Sequence, residues 1–293
     1  MVDRTDQVYD REAEGWQRGL YDDVKATFRA PVVNWIFRTA VANVPEVTRY
    51  AWGQVKPVFQ TRAFAEFTAE YRDAVLGPLE VGDGLPSYRR VDVDVSPAEF
   101  RELRGQLASF DVVAPRLAVL FELLDRGLYG DLSPEPSTER ADTAPFPEHV
   151  DRDRGRSPTM IDPGDVPDGA EDAASGLRSF HGLDSLPSVY RCLAQWPAYF
   201  DRAWGDLEPT LTGDAFSDAR ERADETTAVF VDGIAYRPRI APDDLRGAGF
   251  TDEQVDDCLE LFRPFVDGPV GSVLPAIHAF AATVGVVGDR GTD

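Results

Sequence analysis

The chain has 293 residues and a formal charge of −22, from 52 acidic and 30 basic side chains. That length is enough for two modest domains with ample core. The acid excess leaves no basic patch that would bind the phosphates of a nucleic acid or an anionic membrane surface, so both are excluded as partners. Only Lys25 and Lys56 are lysines. Abundant, dispersed carboxylates with so little lysine indicate a halophilic protein adapted to concentrated salt rather than an acidic mimic of nucleic acid.

Targeting and cofactor signals are absent from the sequence. No apolar run approaches the roughly 18 residues of a membrane-spanning helix, and no apolar segment follows a basic start, so we expect a cytoplasmic protein. Cys192 and Cys258 lie on apolar stretches without a CxxC pair, which favours buried, reduced thiols. Because nucleotide-binding loops, zinc-ligand spacings and nucleophile motifs are missing, we expect neither cofactor nor metal.

Helical patterns dominate the first half of the chain. Proline is tolerated at the first position of a helix, so each proline followed by an apolar run marks a helix start. Ser96 and Glu99 form a capping box. The predicted helices are Arg11 to Phe28, Pro31 to Val41, Pro45 to Phe59, Phe64 to Leu76, Ser96 to Phe110, and an apolar helix from Pro115 to Leu124.

The second half repeats this order. Predicted helices begin at Pro187, Pro197, Asp214 and Thr251, and a final apolar helix runs from Val270 to Val284. A strand-like run covers Thr227 to Tyr236, but no alternation persists long enough for a sheet. Residues 131–176 are rich in Pro, Gly and acidic residues and predict a long, largely irregular linker.

The two halves also match in sequence at a constant spacing. Pro45, Ala51-Trp52-Gly53 and Pro57 in the first half correspond to Pro197, Ala203-Trp204-Gly205 and Pro209 in the second. The repeat is too long for a solenoid. We therefore predict an all-α protein of two tandem helical repeats, residues 1–130 and 177–293, packed as an internal pseudo-dimer with its site between them.

The proline-started helices at Pro31 and Pro187 are the candidate binding elements, because a helix N-terminus attracts small anions. In the first, Asn34 and Arg38 share a face, and Arg38 interrupts an apolar run, where it either clamps a carboxylate or pairs with a local acid. Ser188 and Tyr190 add two hydroxyl groups in the second. Apolar walls with one cation suit a small organic acid.

The three histidines are far apart in sequence. His149 falls in the linker and is expected to be solvated. His278 lies on an apolar helix face, which favours a core histidine over a catalytic one. His181 precedes the Pro187 helix, where a core position and a position above a pocket are both open.

Several stretches resemble the group I, or D,L-, 2-haloacid dehalogenase family. They are Tyr21 to Pro31, Pro45 to Trp52, and Ser188 to Pro197, so the likeness covers both repeats. The resemblance implies an all-helical pseudo-dimer whose active site lies between the halves. It also implies direct hydrolysis of a carbon–halogen bond with inversion, in which an aspartate activates water, an asparagine assists, and no covalent ester forms. Trp35 and Phe37 would supply aromatic walls.

The family pattern is broken at both key positions. The catalytic aspartate should follow Ser188, where Val189 stands, and the asparagine should precede Pro115, where Ala114 stands. Valine cannot take a proton from water. Two nearby carboxylates are the replacement candidates: Asp184, close in sequence to Ser188, and Asp111, close to Ala114. Burial would raise the pKa of either carboxyl group.

Three further readings stay open besides relocated hydrolysis. The protein is an inactive binding or regulatory protein for small carboxylic acids, it carries other chemistry such as peroxide or lactone reactions, or it is an interaction protein whose interface is filled. The expected partner is a small organic acid, and a homodimer is an open alternative.

Overall fold

The computed structural model describes residues 2–81, 84–133 and 155–291. All regular elements of these residues are helical, which confirms the predicted all-α fold. Two short 3₁₀ helices cover Lys56–Gln60 and Arg90–Asp92. The α-helices are α1 (Gly15–Phe28), α2 (Trp35–Asn43), α3 (Pro45–Val55), α4 (Arg62–Leu79), α5 (Pro97–Leu128), α6 (Glu171–His181), α7 (Ser188–Leu193), α8 (Pro197–Leu211), α9 (Asp214–Asp232), α10 (Pro242–Gly247), α11 (Asp252–Val266) and α12 (Val270–Thr283).

Capping residues fix the starts of two long helices. The Glu99 N–H donates to Ser96 Oγ at 3.2 Å and the Ser96 N–H donates to Glu99 at 2.8 Å, which confirms the predicted capping box of α5. Thr251 and Gln254 form the same reciprocal pair at α11. Each box satisfies main-chain donors that lack a partner in the first helical turn.

Several predicted boundaries were wrong. Asn34 is extended, with φ −66° and ψ 155°, so α2 begins at Trp35 and not at Pro31. Pro115 starts no helix, because it lies fully buried within the single 32-residue helix α5. A proline removes one main-chain hydrogen bond, but burial of both halves of α5 holds the helix through that position. The strand-like run after Thr227 is mostly the end of α9.

The helix order of the first half recurs in the second. Pro45 and Pro197 each begin a helix, and α4 and α9, which follow them, pack side by side along their lengths. Where the first half has the continuous helix α5, the second has α11 and α12 with a break between them. The pseudo-dimer itself stays a prediction.

The C-terminal part of the predicted linker is held against the helices. Ser109 Oγ donates to the Arg156 carbonyl at 2.7 Å, and Arg191 donates to the Ile161 carbonyl at 2.6 Å. Residues 155–170 carry no helix, as predicted, but α6 begins at Glu171, so the expected boundary at residue 176 falls inside a helix. His149 lies outside the described residues.

Helix α12 occupies the centre of the molecule. It packs against α4, α5, α8 and α9, and ten of its fourteen residues are buried. In the described part of the chain, no single helix has the length and apolar character needed to cross a membrane; α11 and α12, bent by 48°, pass that test only as a pair.

Candidate functional site

A charged cluster lies in the interior where α4, α5 and α12 meet. Asp111 of α5 accepts a hydrogen bond from His278 Nδ1 at 2.7 Å through one oxygen. Its other oxygen lies 3.2 Å from Arg72 Nε and accepts the Gly288 N–H at 2.8 Å. The side chains of Arg72, Asp111 and His278 are 0% exposed. The predicted candidate Asp111 therefore joins elements from both halves of the chain.

The electrostatics of the cluster keep Asp111 ionised. Burial alone would raise the pKa of this carboxyl group, but the Arg72 guanidinium and the hydrogen bonds from His278 and the Gly288 N–H outweigh burial and hold the pKa below its usual range. An ionised carboxylate only accepts hydrogen bonds, so His278 Nδ1 must be the donor. In neutral His278 the other ring nitrogen, Nε2, is then an acceptor. Nε2 is buried and has no hydrogen-bond partner among the described residues.

Residues 285–291, which we call the strap, run from α12 across this cluster. The Asp289 carbonyl accepts a hydrogen bond from Arg72 at 3.3 Å, beside the Gly288 contact with Asp111. Arg290 pairs with Asp73 of α4 at 2.7 Å and with Glu80, the residue after α4, at 2.5 Å. The strap is partly exposed while the cluster beneath it is fully buried, so it forms part of the wall between the cluster and solvent.

Gly288 is required by this packing. A Cβ atom at this position would lie 2.4 Å from Arg72 Cζ and 2.7 Å from Arg72 Nε. No real Cβ contact is so short, and the Arg72 side chain is 0% exposed and paired with Asp111, so its displacement would disturb that ion pair. The absence of a side chain therefore allows the strap backbone to reach Asp111.

The other carboxylate candidate, Asp184, occupies a different environment. It lies in the loop between α6 and α7 and its side chain is exposed. Asp184 therefore lacks the burial on which its candidacy as a base depended. Asp111 is the buried member of the pair.

The predicted aromatic residues separate into two places. Trp35 is 45% exposed and contacts Phe265 of α11, with ring centroids 4.5 Å apart. Phe37 is buried against Phe28 and Trp52, with centroid distances of 5.7 and 5.4 Å. The two side chains therefore do not form one wall.

The predicted polar binding residues are likewise distributed. Arg38 donates to Gln7 at 3.1 Å and lies 5.3 Å from the centre of the Tyr9 ring; burial lowers its pKa. No carboxylate of the described residues forms an ion pair with it. Asn34 precedes α2 and its Oδ1 atom is buried without a hydrogen-bond partner in the described chain. Ser188 is the first residue of α7.

Tyr190 and His181 form a structural hydrogen-bond chain. His181 Nε2 bonds the Tyr190 hydroxyl at 2.8 Å, and its Nδ1 bonds Ser272 Oγ at 2.7 Å. Burial lowers the pKa of His181 to about 4, so the ring is neutral at pH 7. Burial also raises the pKa of the Tyr190 hydroxyl. His181 is thus a satisfied core histidine, and Tyr190 is committed to it.

The two positions where the resembled family needs a base and an amide are apolar and enclosed. Val189 is 3% exposed and Ala114 is 0% exposed. They lie on α7 and α5, which pack together. Neither position offers a group that exchanges a proton with water.

Two cavities of the described residues lie elsewhere. An open groove of about 720 Å³ runs between α4 and α9, and a second cavity of about 300 Å³ lies beside it. None of the predicted site residues lines either cavity. Within the described residues, no group of three or more His, Cys, Asp or Glu side chains is arranged to hold a metal.

Sequence reasoning missed Arg72, Gly288 and the pairing of His278 with Asp111. Arg72 had a signal, because it lies on the apolar face of α4 with Thr68 and Val75 at helical spacing. Such a charge needs a buried partner. The partner itself had no signal, since His278 and Asp111 are 167 residues apart.

These features define a class: an all-α protein in which helices from both halves enclose a buried aspartate–histidine–arginine cluster. Residues 31–162 match the family described as "Halocarboxylic acid dehydrogenase DehI". The chain is 25% identical over 262 residues to an (R)-2-haloacid dehalogenase of Pseudomonas putida, covering 88% of this chain and 86% of that protein. It is 28% identical over 211 residues to an (R)-2-haloacid dehalogenase of Rhizobium sp. strain NHG3, covering 70% and 78%.

The fold is also that of solved 2-haloacid dehalogenases. A D-2-haloacid dehalogenase in complex with L-LA superimposes with a TM-score of 0.79 at 20% identity, covering 97% of this chain and 96% of that one. A third relative, from Pseudomonas sp. strain 113, is described as a configuration-inverting 2-haloacid dehalogenase and is 25% identical over 258 residues. The chain is thus similar to 2-haloacid dehalogenases over most of its length.

Proposed function

We propose that this protein hydrolyses the carbon–halogen bond of small 2-haloalkanoic acids, with water as the nucleophile and no covalent intermediate. The observation that carries the proposal is the similarity to an (R)-2-haloacid dehalogenase across 88% of the chain. The shared all-α fold supports it. The attacking water displaces halide from C2, which gives the 2-hydroxy acid, a halide ion and a proton.

We further propose that the reaction takes place between two pseudo-symmetric halves. The repeated proline-started helices and the side-by-side packing of α4 and α9 support such an arrangement. Arg72 and Asp111 come from the first half of the chain, and His278 and Gly288 come from the second.

Water activation in this proposal depends on Asp111. Val189 and Ala114 cannot replace a base, and Asp184 is exposed. Asp111 is buried and ionised, and it is paired with a histidine whose second nitrogen is open. Perturbed carboxylates with a specific charged partner are typical of functional sites.

The substrate carboxylate group is assigned to Arg38 and Asn34. Arg38 has no carboxylate partner among the described residues, and Asn34 has a buried atom without a partner. Ser188 and the exposed Trp35 remain proposed surrounding residues, whereas Tyr190 and Phe37 are held in the core.

Carboxylate binding without turnover is the second candidate function. The apolar environment of Val189 and Ala114 favours it, because both family positions for catalysis are filled by side chains without proton-exchanging groups. Such a protein would bind a 2-haloacid and release no halide.

The test is bromide release from 2-bromopropionate in multimolar KCl, followed by ion chromatography. We expect release by the wild type and a loss of roughly 100-fold or more in Asp111→Asn. Asp201→Asn, at an exposed position of α8, is the matched control and should match the wild type. Circular dichroism must show that each variant is folded. A loss in Asp184→Asn instead of Asp111→Asn would move the base to the α6–α7 loop.

Separate enantiomers and a binding measurement complete the test. The resemblance to the D,L- family predicts release from both enantiomers, whereas the names of two relatives predict release from the R form alone. If no bromide appears, calorimetric binding of 2-chloropropionate that Arg38→Gln removes would establish the binding function. Absence of both release and binding would refute both candidates.

A further inference from the structure

The ring of His278 is held in one orientation and one tautomer. Its Nδ1–H donates to Asp111, which is itself fixed by Arg72 and by the Gly288 N–H. Both oxygens of Asp111 are therefore occupied by protein donors. A carboxylate so engaged is a poor direct acceptor for a proton from water, whereas the open imidazole nitrogen is a good one.

The Nε2 atom of His278 is a buried polar atom without a hydrogen-bond partner among the described residues. The whole residue is fully buried. Buried polar atoms are nearly always paired, and an unpaired one marks strain, a bound water or a catalytic group. His181 shows the contrast, because both of its ring nitrogens are bonded within the core.

We propose that His278 is the general base of the dehalogenation, and that Asp111 is the positioning residue that orients it. This inference rests on the proposed function above. Water bound at Nε2 attacks C2 of the 2-haloacid, the carbon–halogen bond breaks, and its electron pair leaves with the halide. The water proton passes to Nε2, and the imidazolium that forms is stabilised by the ionised Asp111. Release of that proton to solvent restores the neutral ring.

Access to His278 requires movement of a covering segment. The strap is partly exposed, and its backbone contacts both Asp111 and Arg72. Its outer attachments include the Arg290 ion pairs with Asp73 and Glu80 and the Gly291 N–H bond to Asp73 at 2.6 Å. Displacement of the strap removes the Gly288 N–H from Asp111, whose two oxygens then stay paired with His278 and Arg72.

The experiment compares bromide release from 2-bromopropionate by the wild type and three variants in multimolar KCl. His278→Asn retains an amide that can donate to Asp111 but has no basic nitrogen, so it should lose roughly 100-fold or more in rate while staying folded. His278→Ala leaves a space the size of an imidazole, and added imidazole should raise its rate roughly tenfold or more. Asp111→Asn leaves the His278 side chain present, so there is no empty space for added imidazole, which should not restore its rate.

His181→Ala is the matched control for rescue. It empties a second imidazole-sized space away from the cluster, and added imidazole should leave its bromide release unchanged. If added imidazole restores the rate of His278→Ala but does not change that of His181→Ala, His278 accepts a proton in the reaction. Imidazole that only filled a structural space would not restore the rate.

The outcomes separate the two proposals. No release by the wild type refutes the proposed function, and the role of His278 falls with it. Release by the wild type with an undiminished rate in His278→Asn refutes only the role of His278. A loss in His278→Asn without imidazole rescue of folded His278→Ala assigns a structural role and also overturns the inference.

Discussion

The contact between Gly288 and Arg72 makes a quantitative prediction. In Gly288→Ala the new Cβ would lie 2.4 Å from Arg72 Cζ, so the strap must move away from the cluster. The Gly288 N–H then loses its 2.8 Å bond to Asp111. A hydrogen bond to a charged group contributes about 1.5–3 kcal/mol, and overpacking of an interior costs about 1–3 kcal/mol.

These contributions are partly offset by the unfolded chain. Replacing glycine by alanine reduces the entropy of the unfolded state, which stabilises the protein by about 0.4–1 kcal/mol. We therefore expect Gly288→Ala to lower the free energy of unfolding by roughly 2–5 kcal/mol. Gly271→Ala is the matched control, because a Cβ at Gly271 in α12 meets no atom within 4 Å. It should stabilise the protein by about 0.5–1 kcal/mol.

Urea unfolding at a fixed KCl concentration measures both effects. The midpoint should fall in Gly288→Ala with little change in the slope, because the surface exposed on unfolding stays the same. A Gly288→Ala protein as stable as the wild type would refute the close approach of the strap to Arg72. Equal destabilisation by Gly288→Ala and Gly271→Ala would show that the loss of stability does not come from the contact between residue 288 and Arg72.

Three further predictions concern access, pH and thiol reactivity. Arg290→Ala should speed the modification of His278 by diethylpyrocarbonate several-fold, measured by mass spectrometry, and Arg246→Ala, which removes ion pairs elsewhere, should not. His181 has a folded pKa of about 4, below its ordinary value, so the stability it contributes is present above pH 6.5 and is lost as pH falls towards 4. His181→Gln should therefore show a shallower loss of stability over that interval, by up to roughly 3 kcal/mol, in urea unfolding. Burial raises the pKa of Cys192 and Cys258 to about 12, so a thiol reagent should label both in urea and neither in the native protein.

Each of these predictions has a result that would contradict it. Equal labelling of His278 in the wild type and in Arg290→Ala would show that the strap does not control access. An unchanged pH dependence in His181→Gln would mean that the pKa of the His181 ring is the same in the folded and the unfolded protein. Rapid labelling of a native thiol would place that cysteine at the surface.

The parts of the fold that were predictable are those with a local cause. The capping residues Ser96 and Thr251 bond main-chain groups three residues away, so sequence alone locates the starts of α5 and α11. The chemistry of Pro31 and Pro115 is also local, but their interpretation failed. Both residues are compatible with a helix start. In the folded protein, however, α2 begins at Trp35 and Pro115 lies inside α5, because packing against neighbouring helices sets these boundaries.

The cluster was only partly predictable because its contacts are long-range. Asp111 was a candidate through its position near Ala114, and His278 through its apolar helix face. Their hydrogen bond joins α5 to α12 and depends on the path of every helix between them. The strap contact with Asp111 depends in the same way on where the chain returns after α12.

The order of the cluster along the chain has a consequence for biosynthesis. Arg72 and Asp111 leave the ribosome long before His278 and the strap are made, so a folding nascent chain holds two interior charges whose enclosure is still missing. Until residues 278–290 emerge, water must hydrate the Asp111 carboxylate, and α4 and α5 cannot close fully around it. The first half of the protein therefore stays loosely packed until the last part of the described chain is synthesised, and only then is water excluded from its interior.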